Sequence, residues 1–231
     1  MTGETLNTFI TGLNADSTID STMLNVLINT AKLIIEEERP WMVLRKTNTA
    51  ITLTGSETWQ TAKTLSGITD FSRFYGEFPI RLFDGNGMIE YYRQVPFDRR
   101  LEHKDGSGTF CFDENAGIVY FNGIPPFAGT LYINYIATTP DIDVDSEDTI
   151  WSPFARFAPL LGFYAVGIHK GAVDWDTINQ QTLPENRAVM LSLKNAMEKW
   201  DTERQLSSIE GNDPTSLYSY SRNGSIDIHN E

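Results

Sequence analysis

The run Glu36-Glu37-Glu38-Arg39-Pro40-Trp41-Met42-Val43-Leu44-Arg45 separates two hydrophobic periods that one element cannot carry. Before it, apolar residues recur every three or four positions; after it, they alternate. Side chains repeat every 3.6 residues in a helix and every 2.0 in a strand, so the chain must pass from helix to β structure here. Pro40 sets the point of change. It lacks a backbone N–H and biases Arg39 away from the helical region, so the helix ends at or near Glu38. Trp41 and Leu44 are large apolar groups expected to be buried between the two layers.

Upstream, Leu6, Phe9, Ile10 and Leu13 share one face of a helix expected over Glu4 to Leu13. Asn14 to Ser21 reads as a polar linker ending in a helix cap at Asp20 or Ser21. From Thr22 to Glu38, Leu24, Leu27, Ile28, Ala31, Ile34 and Ile35 form one stripe of an amphipathic helix. From Thr47 to Ala137, short alternating runs are separated by turn signals. Asp84-Gly85-Asn86-Gly87 tolerates positive φ and predicts a hairpin, and Asp113 to Gly117 predicts a second turn. In the clearest strand, Leu131, Ile133, Tyr135 and Ala137 face opposite to Tyr132, Asn134 and Ile136. Pro96 to His103 reads as a short helix, and the block as a whole as an antiparallel sandwich or small barrel.

Beyond the acidic stretch Asp141 to Asp148, Ser152-Pro153 suits a helix start, and the helix is expected to run to about Lys170 with a kink at Pro159. Phe154, Phe157, Leu161, Tyr164 and Ile168 give it a bulky face; Ala158, Gly162 and Ala165 give it a small one. A last helix to about Ser208 turns Val189, Leu193, Ala196, Met197 and Trp200 inward. The expected fold class is α+β: a helical body of N-terminal helices plus two long C-terminal helices, with an inserted antiparallel β-sandwich or small barrel. Its parts are the N-terminal helical segment 1–46, the β domain 47–140, the C-terminal helical segment 141–210 and a flexible C-terminal arm 211–231.

Chemistry is hard to find in this chain. Its net charge of −13 argues against a reader or clamp of nucleic acid, whose affinity comes from Lys and Arg neutralising phosphates. The same charge suits a wall that DNA passes without sticking. The single cysteine, Cys111, leaves no internal disulfide and sits between Phe110 and Phe112 as an expected buried hydrophobe. The N-terminus lacks the pattern of a signal peptide, and no apolar run is long enough to span a bilayer, so no membrane association is expected. Asp141-x-Asp143-x-Asp145 has the alternate carboxylates of a calcium loop, but Ser146 stands where the loop needs glycine and Ser152 where it needs glutamate. It reads as a solvated acidic linker. His103, His169 and His229 lie in separate segments without metal-ligand spacing. No phosphate loop, nucleophile elbow or dinucleotide fingerprint occurs, so no catalytic residue, metal or cofactor is expected.

Order of elements carries a resemblance. A helix ending in Arg39-Pro40-Trp41-x-x-Leu44-Arg45 is followed by a strand over Thr47 to Thr54 and a β insertion closing with Leu131-Tyr132-Ile133-Asn134-Tyr135. An acidic linker and a Phe/Leu/Tyr/Ala-rich helix come next. Over about Leu24 to Trp200 this resembles the head-to-tail adaptor, or connector, proteins of tailed bacteriophages. The resemblance implies a non-enzymatic virion structural protein at the head-tail neck, assembled in the host cytoplasm. It implies a homo-oligomeric ring of twelve copies between the portal protein and a tail (nozzle or tail-tube) protein, with genomic DNA passing through the channel without sequence-specific binding. On that reading Phe154, Phe157, Ala158, Leu161, Gly162 and Ala165, with Tyr218, Tyr220, Ile226 and Ile228 of the arm, are the expected oligomer and partner contacts. The long acidic linker and the Tyr/Ile tail depart from the family pattern. The alternative is a phage tail accessory or carbohydrate/receptor-binding β-sandwich module using exposed aromatics such as Trp59, Tyr91 and Tyr92; an enzyme ranks third.

Overall fold

The computed structural model of the chain describes residues 1–13, 19–57, 61–102 and 108–210, with side chains through 206. Trp59, His103, His229 and the arm residues Tyr218, Tyr220, Ile226 and Ile228 lie outside the described residues. Two helices open the fold, α1 (Gly3–Leu13) and α2 (Ser21–Glu37). Asp20 caps α2, its carboxylate accepting the Met23 N–H at 2.8 Å. The helix stops where Pro40 requires. Trp41 is then 1% exposed, its indole N–H bonded to the Ile35 carbonyl at 2.7 Å and its ring edge-on to Phe154 at 5.6 Å. A 3-10 turn, Met42–Leu44, with Leu44 also buried, leads into the first strand.

The described residues form nine strands: β1 (Arg45–Asn48), β2 (Thr52–Thr54), β3 (Thr61–Thr64), β4 (Phe71–Phe74), β5 (Ile80–Phe83), β6 (Ile89–Gln94), β7 (Thr109–Asp113), β8 (Ile118–Asn122) and β9 (Ala128–Ala137). Their order is β1-β9-β5-β6-β7-β8-β3, with β2 and β4 also paired to β9. The long β9 organises the sheet, since β1 and β2 share one of its edges and β4 and β5 the other. The Asp84–Gly87 hairpin forms as its residues require: the Asp84 carboxylate accepts the N–H groups of Asn86 and Met88, with Gly85 and Gly87 at positive φ.

Neither the expected antiparallel sandwich nor a closed small barrel forms. β6 and β7 run parallel, Arg93 opposite Thr109 and Gln94 opposite Phe110. The connection between them, residues 95–108, is the crossover length that parallel strands need; among its described residues Phe97–Arg99 form a 3-10 turn in place of the short helix expected over Pro96 to His103, His103 lying outside the described residues. The mixed sheet curls into a half-barrel, and aromatic packing spans its concave side. Phe74 of β4 lies 4.9 Å from Phe110 and 5.2 Å from Phe112 of β7, and Phe71 lies 5.4 Å from Phe112.

The helical body with two long C-terminal helices is likewise corrected. After a 3-10 turn, Ala155–Phe157, come α3 (Pro159–His169), α4 (Trp175–Gln181) and α5 (Pro184–Glu210), of which only α5 is long. Pro159 stands at the first position of α3, where its missing N–H costs nothing, so it starts the helix and does not kink it. Gly171 at φ +90° then turns the chain out of the helical region, and an Asp174–Thr177 capping box begins α4. Residues 152–158 do not extend α3, because Phe154 turns inward against Trp41, Trp151 and Trp200. The helices pack chiefly on one another, and Ile136 of β9 joins their core.

Two apolar cores result. One gathers α1–α5 around Trp41, Leu44, Phe154 and Tyr164; the other lies inside the curl of the sheet. β9 serves both: Leu131, Ile133, Tyr135 and Ala137 face the sheet core, while Ile136 on the opposite face joins the helical one. No described helix is long and apolar enough to cross a membrane.

A surface cluster beside β9 ties the sheet to pH. The Asp70 carboxylate accepts from the Tyr135 hydroxyl at 2.9 Å and from Lys46 at 2.5 Å. Burial pushes the Asp70 pKa up, but the bonds from Lys46 and Tyr135 and the Lys46 charge outweigh it, so the group titrates below the usual carboxylate range. A depressed folded-state pKa contributes stability above the unfolded value of about 4 and loses it as pH falls through the folded value. Asp70→Asn should therefore be less stable than the parent at pH 6, and the difference should shrink as the pH falls below the ordinary carboxylate range and through the lowered folded-state value, as read by urea denaturation at a series of pH values. Burial, with the Asp70 bond second, pushes Tyr135 up to about 12, so its phenol stays protonated and donating across that whole range.

Candidate interaction surfaces

The acidic stretch, expected as a solvated linker, is held rigidly. Asn25, Asn29, Lys32 and Glu36 follow one another along α2 and bind the backbone of the returning chain. Asn25 accepts the Val144 N–H at 2.9 Å, and Asn29 both accepts from Ile142 N at 2.8 Å and donates to Ile142 O at 2.9 Å. Lys32 donates to the carbonyls of Thr139 and Pro140 and pairs with Asp141 at 2.9 Å. Glu36 accepts from Thr139 and from the Trp151 indole. Ile142 and Val144 are thereby buried, and the carboxylates that alternate with them, Asp141, Asp143 and Asp145, are exposed, the Asp141 side chain to 87%. Among the described residues no group of three or more His, Cys, Asp or Glu side chains could hold a metal ion.

The other chemical candidates have plain structural places. Cys111 is fully buried, and burial pushes its thiol pKa up, away from the thiolate that a nucleophile needs. His169 ends α3. A cleft between α1, α3 and the α4–α5 turn, lined by Leu13, Phe163, Lys170 and Gln181, holds about 20 Å³, space for a single water. Tyr92 is 3% exposed beneath Phe121, whereas its neighbour Tyr91 is 38% exposed, so the pair cannot offer two stacking faces to a sugar.

Phe154, Phe157, Ala158, Leu161, Gly162 and Ala165, expected at subunit contacts, are all buried within the chain. α1 occupies the small-residue face: a Cβ on Gly162 would stand 2.8 Å from the Phe9 ring and 3.2 Å from Ile10. Gly162→Val should cost about 1–3 kcal/mol through this clash. Gly12→Ala, where nothing lies within 4 Å, should be neutral or slightly stabilising by thermal melt.

The joint after α2 is fastened on its other side by α5. Lys194 pairs with Glu38 at 2.8 Å and lies over the Trp175 ring at 3.7 Å, while the Tyr164 hydroxyl donates to Glu38 at 2.7 Å. Burial and the Glu38 charge keep that phenol protonated. Asp201, fully buried, accepts the Met42 N–H at 2.6 Å and pairs with Arg39 at 3.2 Å. Of the residues expected to face inward along α5, Met197 is buried and Leu193 and Trp200 are half-buried, but Val189 and Ala196 are exposed. The buried line runs instead through Met190, Met197 and Asp201.

Open apolar surface lies elsewhere. On α2, Met23, Val26 and Leu33 are exposed, Val26 to 62%. On the convex face of the sheet, Arg81 stands opposite Tyr91 and Tyr132, and Phe83 opposite Ile89, with Arg93 next along β6. The α2 stripe was visible in the sequence as apolar residues off the main stripe. The sheet patch was not, because it depends on the pairing register of three strands. No protein-family model matches the chain, and a search of curated proteins finds no match.

Proposed function

We propose that the chain is a non-enzymatic structural protein, a head-to-tail adaptor that forms a ring between the portal and tail of a bacteriophage particle. The observation that supports it best is α5. Its 27 residues, about 40 Å of helix, bury only a narrow line, and Leu206 near its end is 57% exposed. Most helix stability comes from tertiary packing, so a rod with this much open surface suits a protein whose packing other chains complete. Fastening of α5 to the joint through Glu38, Arg39 and Met42 gives such a rod a fixed direction. The net charge of −13 would keep passing DNA from adhering to a ring of these subunits.

The test is co-expression with the portal protein of the same particle, followed by native mass spectrometry and electron microscopy. A ring of copies bound to the portal is expected, and Leu206→Asp should weaken that binding while leaving the circular dichroism spectrum unchanged. A chain that never co-elutes with portal, and is missing from purified particles, would overturn the proposal.

A further inference from the structure

We infer that copies of this chain dock head to tail, the convex face of the sheet of one copy lying on the α2 face of the next. The inference rests on the ring reading above and names the surfaces that would make the ring. Met23, Val26 and Leu33 fall within an arc of about 80° on α2, at 100° per residue, on the side away from the core. That arc borders the positions of Asn25, Asn29 and Lys32, which hold the returning segment alongside the helix. Because Ile142 and Val144 are the buried members of that segment, Asp143 and Asp145 stand exposed beside the apolar stripe, following Asp141, which is exposed but paired with Lys32. The α2 face is thus apolar with an acidic rail that cannot swing away.

The sheet face is its electrostatic opposite. Phe83, Ile89, Tyr91 and Tyr132 supply apolar and aromatic surface around Arg81 and Arg93, and no carboxylate occupies these register positions in β5, β6 or β9. In a chain with 31 acidic and 18 basic residues, a basic apolar face and an acid-railed apolar face are a matched pair. Copies that repel through their net charge can associate only where such local complementarity overcomes it. The two faces belong to different layers of the fold, so the contact is heterologous: it propagates from copy to copy and closes as a ring where the rotation allows.

Charge reversal with exchange tests this by sedimentation velocity at rising concentration. Wild type should form oligomers beyond a dimer. Arg81→Glu/Arg93→Glu and Asp143→Lys/Asp145→Lys should each self-associate more than about tenfold more weakly, since each places like charges across the contact. Mixed one to one they should associate again, because reversed sheet face meets reversed rail and native meets native. Arg93→Glu and Asp145→Lys, both at exposed positions, repeat the exchange if a double variant does not fold. Wild type that stays monomeric to its solubility limit, reversals without effect, or a mixture that stays dissociated would each overturn the inference. Rings on the portal that are indifferent to these reversals would sink it while leaving the adaptor reading standing. Head-to-tail oligomers that never bind a portal would do the converse.

Discussion

Trp41→Ala is expected to lower the folding free energy by about 3–5 kcal/mol, read as a shift of the urea midpoint. The ring is 1% exposed and edge-on to Phe154, which itself meets Trp151 at 5.0 Å and Trp200 at 5.9 Å. Truncation would leave a cavity among rigid aromatic rings that cannot close over it, the condition under which large-to-small substitutions cost most. It would also remove the donor to the Ile35 carbonyl, one of the last groups of α2. Trp41→Phe separates the two contributions: it keeps most of the packing and loses the bond, so about 1–2 kcal/mol is expected. Domains of this kind have about 5–15 kcal/mol in total, so the alanine variant should be marginal at 37 °C. A loss below about 1 kcal/mol would show that the joint is held by its ion pairs and not by this ring.

Glu36→Ala should be of similar size, about 3–5 kcal/mol, for a different reason. The Glu36 carboxylate is 3% exposed and receives the Thr139 N–H at 3.2 Å, the Thr139 hydroxyl and the Trp151 indole N–H at 2.9 Å. Alanine leaves three donors without an acceptor in the interior, each costing about 1–3 kcal/mol less whatever water enters the space. Trp151 also holds a φ of 53°, a region where a bulky residue is strained, and its bond to Glu36 helps keep it there. Glu36→Gln retains one acceptor and turns an amide donor toward the others, so an intermediate loss is expected. Limited proteolysis adds a local readout: Glu36→Ala should open cleavage within residues 139–151, which the α2 ladder otherwise holds against the helix. A double cycle with Lys32→Met should show coupling of at least about 0.5 kcal/mol, since the two residues grip adjacent parts of one segment.

Much of the local structure was legible in the sequence because its causes are local. Pro40 stops α2, Asp20 caps it, Asp84 to Gly87 turn a hairpin, and alternation along β9 assigns its two faces. The errors share a cause as well. Residues 152–170 are apolar nearly throughout, and a helix apolar on all sides gives no periodic sign of where it begins. Gly162 does allow a close approach, but what approaches it is Phe9 and Ile10 of α1 and not a second copy, while Tyr164 of the bulky set packs on Trp175 of α4. β6 and β7 each read correctly as strands; their direction relative to one another is set by the crossover between them, which carries no pattern of its own. The acidic stretch looked solvated because its carboxylates are, while the polar residues that grip its backbone belong to α2.

By itself, then, the sequence determined where the backbone must change from helix to strand at Arg39-Pro40-Trp41, which residues of each element are apolar, and how strongly acidic the surface is. Those follow from proline stereochemistry, side-chain periodicity and formal charge, all properties of neighbours along the chain. Only the tertiary structure decided that the sheet is mixed and curled, that the joint is locked by Glu36, Glu38 and Asp201, and that the open apolar faces lie on α2 and the convex sheet. Each of these depends on pairs such as Glu36 and Trp151, 115 positions apart. Periodicity tells which side of an element avoids water; what covers that side is settled by the competition among all such sides when the chain folds.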